Sequence, residues 1–298
     1  QLIRLEGTLD TAELSKAFRR LIQRHENLRT SFELIDEEPV QKIAASSDFE
    51  LEQWTAGEEL DESIRKFIRP FALDQAPLFR AGLIKVKPDE HILMMDMHHI
   101  ITDGVSQSIL IHDFMQLYSG KSLPPIKLSY KDFAEWQQSK KMVRAADKQF
   151  WNNEFAEEAP VLELPTDFKR PQVRKYEGDT FRFDIRPEQT VILEYIAKQE
   201  NTTMFNMLFA IFYVLLAKLS NQKDVVVGIT TAGRQDADLE NVIGMFVNTL
   251  PLRQRIDGKQ SFRAFLRQVQ KKTLQGLDHQ AYSYEELLDD IKVERNTS

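Results

Sequence analysis

The chain has 298 residues, 42% of them hydrophobic, and its 39 basic and 46 acidic residues give a formal net charge of −7. A chain of this length can bury one large core or two moderate ones, so we expect a soluble globular protein. The acidic balance offers no general attraction to nucleic acid or to an anionic membrane surface. Because the sequence contains no cysteine, it excludes disulfides, cysteine-ligated metals and a thioester on a cysteine of this chain.

No stretch of the sequence resembles a signal peptide, and no apolar run is long enough to span a bilayer. We therefore expect a cytoplasmic protein without membrane association. In chain order, we predict strands over residues 2–5, 30–35, 79–86 and 92–98.

The first helix is predicted to begin at Asp10, with Glu13 completing a capping box. One face of this helix carries the apolar residues Leu14, Ala17, Phe18, Leu21 and Ile22. Further helices are predicted over residues 106–118, with Ser106 as the cap, and over 130–139 and 145–155.

A polar, proline-containing stretch at residues 164–171 is typical of a linker. We therefore predict two lobes, residues 1–170 and residues 171–298. In the second lobe we predict strands over residues 180–185, 225–229 and 250–254, and helices over residues 187–199, 204–219 and 262–274. The helix at 204–219 is nearly all apolar, so it should be buried on most of its faces.

The most informative segment is His98-His99-Ile100-Ile101-Thr102-Asp103-Gly104. A largely apolar run precedes it and an Asp-Gly turn signal ends it, so the two histidines lie where a buried strand gives way to a loop. Such positions often carry functional residues. The residues alone leave three interpretations open, namely packed core histidines, a metal site with Asp103, or histidine-based catalysis. No further ligand at a recognisable spacing supports the metal site.

Four other segments lie in order around this motif. In one-letter code they are RHENLRTSF from residue 24, YKDFAEW from residue 130, IGMFVNT from residue 243 and HQAYSYE from residue 279. With HHIITDG, they resemble the motifs of the condensation domains of non-ribosomal peptide synthetases. The last segment departs from the family's HQDYPFE at Ala281, Ser283 and Tyr284. The HxxxDG part is shared with the wider superfamily of chloramphenicol-acetyltransferase-like acyltransferases.

This resemblance implies an α/β fold of two chloramphenicol-acetyltransferase-like lobes in a V, with the active site in a tunnel between them. It implies amide formation between a donor acyl or peptidyl thioester and the α-amine of an acceptor aminoacyl thioester. Donor and acceptor carrier proteins would bring both substrates on phosphopantetheine arms, beside a neighbouring adenylation domain in a bacterial synthetase. The chain itself would bind no cofactor and no metal.

The family's first motif is missing, and the final Arg295-Asn296-Thr297-Ser298 looks like the beginning of its last motif. We therefore expect a chain trimmed at both ends, with an incomplete second lobe. The activity of such a fragment would depend on the parts it retains.

The resemblance assigns His99 as the catalytic histidine, acting as base or as orienter of the amine. Strand alternation turns His98 to the opposite face, so we assign it a supporting role. In the family, the motif aspartate points away from the reacting centre and pairs with an arginine of the second lobe. The matching residues here are Asp103 and Arg234, for which we expect an architectural role.

Gly104 is expected either to have a positive φ or to leave room for the substrate arm. The family motif makes Arg24 and Arg29 braces for the histidine loop. Asn248 is expected to line the channel between the lobes, although an ordinary strand-end asparagine is an open alternative. Two other functions also stay open, namely a coenzyme A-dependent acyltransferase and a non-catalytic fragment that docks carrier proteins.

Overall fold

A computed structural model describes residues 1–55, 60–139, 144–169, 171 and 177–291. By packing, the chain divides into two compact units. The first contains Gln1–Lys141 and Arg234–Val247, and the second contains Met142–Gly233 and Asn248–Ser298. These units do not coincide with the expected lobes, which stay a prediction. Residue 170 of the predicted linker lies outside the described residues, as do residues 295–298 of the final motif.

The first unit is built on a four-stranded sheet with a separate hairpin. Its strands are β1 (Leu2–Glu6), β2 (Thr30–Ile35), β3 (Glu38–Ile43), β4 (Glu52–Thr55), β5 (Phe79–Lys87) and β6 (Glu90–Met97). The sheet order is β1-β6-β5-β4, in which only the β4–β5 pair is parallel, and β2 pairs with β3. Its helices are α1 (Thr11–Arg24), α2 (Leu60–Phe67), α3 (Gly104–Tyr118) and α4 (Tyr130–Ser139).

Helix α1 forms as its sequence predicts. The Asp10 side chain accepts hydrogen bonds from the main-chain nitrogens of Ala12 and Glu13. The Glu13 side chain, which was predicted to complete a capping box, instead forms an ion pair with Lys16 at 2.8 Å. The predicted apolar face is buried, and Phe18 packs against other aromatic rings in the core.

Helix α3 begins two residues before its predicted start. The cap is Asp103, whose Oδ1 accepts a hydrogen bond from Ser106 N at 2.8 Å. The prediction of Ser106 as the cap was therefore wrong, because the Asp103 carboxylate caps the helix three residues earlier and leaves Ser106 inside its first turn. One consequence is that the motif aspartate fixes the helix that follows the histidines.

The second unit packs helices around a two-stranded antiparallel sheet. Its elements are α5 (Ala145–Glu154), α6 (Pro187–Gln199), α7 (Met204–Ser220), β7 (Asp224–Thr231), β8 (Asn248–Arg255), α8 (Phe262–Asp278) and α9 (Tyr284–Asp290). Trp151 and Tyr213 are the largest of the fully buried side chains in its core. Tyr213 donates its hydroxyl hydrogen to Leu252 O at 2.6 Å, which joins α7 to β8.

Two sequence predictions for this unit differ from the structure. Residues 180–185 form no strand, and Phe181 is 88% exposed. Helix α7 buries one side, including Met207 and Tyr213, while Phe205 is half exposed, so the prediction of burial on most faces was wrong. Across the described ranges, no single helix is long and apolar enough to cross a membrane. Helices α6 and α7 are long and apolar enough only when taken together, and they are bent by 107° at the break between them.

Candidate active site

The histidine segment begins where β6 ends, at Met97. The main-chain nitrogen of His98 donates to Leu78 O at 3.0 Å, and residues His99–Ile101 then form one short 3-10 turn. His98 Nδ1 accepts a hydrogen bond from Ile100 N at 3.1 Å. Because a main-chain N–H can only donate, this contact requires Nδ1 of His98 to be unprotonated. The Phe71 ring meets the His98 ring edge to face, with 6.3 Å between centroids.

The two histidines lie in different environments, although not through strand alternation, because β6 ends at Met97 and His99 lies in the turn that follows. The His98 side chain is partly buried and accepts a hydrogen bond from the main chain, whereas the His99 side chain is exposed. An exposed imidazole on a fixed turn is accessible to a ligand. This geometry suits catalysis at His99 and a supporting role for His98.

Asp103 and Arg234 form the ion pair that was expected between them. Arg234 Nη1 donates to Asp103 Oδ2 at 2.7 Å, and Arg234 Nη2 donates to Asp103 Oδ1 at 3.1 Å. Both side chains are almost fully buried. Burial alone would raise the pKa of Asp103, but the hydrogen bonds from Arg234 and Ser106 outweigh it and hold that pKa below its usual range. The main-chain nitrogen of Phe246 also donates to Asp103, at 3.2 Å.

These contacts oppose a metal site at the doubled histidine. Both oxygens of Asp103 already accept hydrogen bonds from the protein. No group of three or more histidine, aspartate or glutamate side chains suited to a metal occurs among the described residues. Asp103 also does not orient the imidazole as in a Ser-His-Asp triad, because its partner is a guanidinium.

Three of the sequence motifs interlock around Asp103. Ser106 Oγ donates to Gly244 O and accepts from Gly244 N, both at 3.0 Å. Tyr130, the first residue of YKDFAEW, donates its hydroxyl hydrogen to Met245 O at 2.8 Å. The Phe246 ring lies edge-on to Tyr130, and the Arg234 guanidinium lies 4.2 Å from the centre of that Phe246 ring. Residues 234–247 are therefore fastened to the histidine segment within the first unit.

Gly104 is the first residue of α3, and its φ lies outside the left-handed region. The positive-φ explanation was therefore wrong. A Cβ placed on Gly104 would meet no atom within 4 Å, so there is open space beside it. The remaining explanation is that a substrate arm approaches the backbone there, which stays a prediction.

The RHENLRTSF motif contacts the histidine segment through a residue that the sequence did not single out. Arg24 Nε donates to Asp113 Oδ2 of α3 at 2.8 Å, and Arg29 donates to the carbonyl oxygen of Ala44. The direct contact comes from Asn27, whose Nδ2 donates to Ile101 O at 2.7 Å. The family pattern leaves this position open, so the motif gave no signal for it.

Asn248 connects two motifs within the second unit. Its Nδ2 donates to the carbonyl oxygens of Gln280 and Tyr282, both at 2.8 Å. Its Oδ1 accepts from the main-chain nitrogens of Thr249 and Tyr284. With its amide occupied by the backbone of the HQAYSYE segment, Asn248 favours the alternative of a structural strand-end asparagine.

Known structures with the same fold indicate the class of this protein. The X-domain in its complex with OxyB from teicoplanin biosynthesis matches with a TM-score of 0.92 and 24% identity, covering 100% of this chain and 68% of that one. A four-domain non-ribosomal peptide synthetase, AB3403, matches with a TM-score of 0.86 and 23% identity, covering 100% of this chain and 24% of that one. The fold is therefore the mixed α/β fold of condensation-type domains.

The chain belongs to the condensation domain family, whose model matches residues 1–298. It is 44% identical to bacitracin synthase 3 of Bacillus licheniformis over 99% of this chain and 5% of that protein. It is 45% identical to tyrocidine synthase 3 of Brevibacillus parabrevis over 99% of this chain and 5% of that protein. The chain thus spans less than a tenth of the length of these relatives.

Proposed function

We propose that this condensation domain joins a donor acyl or peptidyl thioester to the α-amine of an acceptor aminoacyl thioester. The observation that carries the proposal is the exposed His99, held on a turn by buried partners at the end of β6. Family membership and the kinship with peptide synthases support the same reaction.

The reaction requires the protein mainly to position the amine and to transfer its proton. The acceptor nitrogen attacks the donor carbonyl carbon, the new C–N bond forms, and the C–S bond breaks with its electron pair leaving on sulfur. A free α-amine titrates near ~7.7–8.0, so a fair fraction is already nucleophilic at neutral pH. The imidazole of His99 would orient this amine and accept its surplus proton, which then reaches the leaving thiolate. General-base help of this kind contributes roughly 10²–10⁴-fold to the rate.

The partners in this proposal are donor and acceptor carrier proteins. Each would present its substrate on a phosphopantetheine arm, and an adenylation domain would lie in the same synthetase. Support comes from AB3403, a four-domain synthetase that contains a domain of this fold. A cytoplasmic location in a bacterial cell is part of the same proposal, because the compared synthases are bacterial.

The test uses the natural polypeptide that carries this chain, with donor and acceptor carrier proteins loaded with aminoacyl thioesters. We expect dipeptidyl thioester from the wild type and a loss of roughly 10²–10⁴-fold with His99→Ala. His112→Ala is the matched control, because His112 is also an exposed histidine of the first unit and lies along α3. Transfer from coenzyme A thioesters alone would favour the wider acyltransferase class. Carrier binding without product would favour a docking role.

A further inference from the structure

The main-chain hydrogen bonds within the histidine turn are long. Ile101 N lies 3.2 Å from His98 O, and Thr102 N lies 3.3 Å from His99 O. Both distances exceed the usual ~2.9–3.0 Å for such bonds. The shortest hydrogen bond to the turn is the 2.7 Å contact from Asn27 Nδ2 to Ile101 O. The turn therefore depends on a side chain from a distant part of the sequence.

Asn27 is well placed to act as a rigid support. It is 5% exposed and lies in the short 3-10 turn Glu26–Arg29, directly before the fully buried Leu28. Thr30 Oγ1 donates to Glu26 O at 2.9 Å, which fixes the same turn from its other end. With its backbone held in this way, the Asn27 amide has little freedom to follow a displaced Ile101 carbonyl.

The two ends of the histidine turn are thus held separately. His98 N is bound to Leu78 O at the start, and Ile101 O is bound to Asn27 at the end. Between these anchors, the exposed His99 side chain is oriented by the turn itself. Losing the second anchor would leave a buried carbonyl without its donor and let the turn rotate.

We propose that Asn27 is a positioning residue for His99, acting through the carbonyl of Ile101. This inference rests on the proposed function and adds a residue that the family pattern leaves unspecified. A misplacement of about 1 Å in a reacting group can cost on the order of 10²-fold in rate. Loss of the Asn27 donor is therefore expected to lower kcat by about 10–100-fold while KM stays near its wild-type value.

The central variant is Asn27→Asp, which keeps the shape of the side chain but replaces its donor with an oxygen facing the Ile101 carbonyl. Asn27→Ser is the second variant, because its shorter side chain withdraws the donor from the Ile101 carbonyl without burying a charge. Asn27→Gln keeps an amide donor and should recover part of the activity. Should Asn27→Asp fail to fold, Asn27→Ser decides the same question.

The matched control is Asn206→Asp in α7 of the second unit. Asn206 is 6% exposed and its Nδ2 donates to Thr202 Oγ1 at 3.1 Å, so burial and chemistry are similar. This control should lower thermal stability without lowering kcat per folded molecule. A purely structural role for Asn27 would give the same result as Asn206→Asp, and this outcome would overturn the proposal.

A second readout does not depend on turnover. The ring resonances of His99, assigned in NMR spectra with His99→Gln, should shift or broaden in Asn27→Asp and stay unchanged in Asn206→Asp. Unchanged His99 resonances in Asn27→Asp and Asn27→Ser would contradict the inference. If the wild type makes no dipeptide, the proposed function fails, while these spectra still decide the role of Asn27.

Discussion

Asp103 and Arg234 lie 131 residues apart in sequence and form a buried ion pair with two hydrogen bonds. Asp103 also caps α3 and accepts a hydrogen bond from the main chain at Phe246. The motif aspartate therefore joins the histidine segment, the following helix and residues 234–247. Its contacts are architectural, which agrees with the proposal that His99 and not Asp103 takes part in the chemistry.

Asp103→Asn and Arg234→Ala should both lower the free energy of unfolding, each by roughly 3–5 kcal/mol, because either change leaves a buried partner uncompensated. Urea denaturation of each variant measures this. Glu62→Gln is the control, because the Glu62–Lys66 pair is exposed and such pairs contribute little. If Asp103→Asn keeps full stability and loses turnover, Asp103 takes part in the chemistry and the architectural assignment is wrong.

Gly244→Ala should destabilise the first unit. The added Cβ would overlap the Tyr130 ring, which is held by its bond to Met245 O and by Phe246. Overpacking of this kind costs about 1–3 kcal/mol. Thermal unfolding should show a lowered Tm, partly restored in the double variant with Tyr130→Leu. Gly258→Ala, where a Cβ meets nothing within 4 Å, should stay near wild type.

Gly104→Ala should leave stability unchanged, because Gly104 has no positive φ and a Cβ there meets open space. If the substrate arm passes beside this backbone, the same variant should raise the KM for the loaded carrier protein. Thermal unfolding and steady-state kinetics on one preparation separate the two effects. Wild-type KM together with wild-type Tm would remove Gly104 from the site.

The pH dependence of stability should depend on His25, which lies 2.9 Å from Asp113 through its Nε2. Burial lowers the pKa of His25 below its usual value near 6.5, and this outweighs the opposing effect of Asp113. The unfolded chain therefore takes up a proton more readily than the folded one. The stabilising contribution is complete above about pH 6.5 and is lost as the pH falls toward the folded pKa.

Asp113 adds a second, more acidic step. Burial would raise the pKa of Asp113, but hydrogen bonds from His25 and Arg24 lower it overall, so its contribution is lost as the pH falls below about 3.8. Urea titrations between pH 7.5 and 3 should show both steps. His25→Gln should flatten the first, whereas His112→Gln, an exposed control on the same helix as Asp113, should not. An unchanged slope in His25→Gln would contradict this assignment.

The sequence predicted local features of the fold well where local chemistry decides them. Helix α1 is capped by Asp10 and buries its predicted apolar face, because capping and a helical repeat are encoded within a few residues. The prediction of a strand at residues 180–185 was wrong, because a β-strand forms only when it pairs with a neighbouring strand. Phe181 and Phe183 alternate as in a strand, yet the described residues provide no strand that pairs with them.

The candidate site was predictable in part. The resemblance predicted the pairing of Asp103 with Arg234, which the structure contains, and the role of His99, which stays a prediction. It did not identify Asn27, because a hydrogen bond over 74 residues has no local pattern. The interactions of Asn248 with the 280–284 backbone are equally non-local, so the sequence left its role open between the channel and the strand end.

The most direct test of the account is the rate of dipeptidyl thioester formation with His99→Ala, measured with loaded carrier proteins and compared with His112→Ala. Because the His99 side chain is exposed, its removal should leave the free energy of unfolding unchanged. We expect a rate reduced by roughly 10²–10⁴-fold in His99→Ala and a wild-type rate in His112→Ala. Dipeptide formation at the wild-type rate by folded His99→Ala would contradict the central claim.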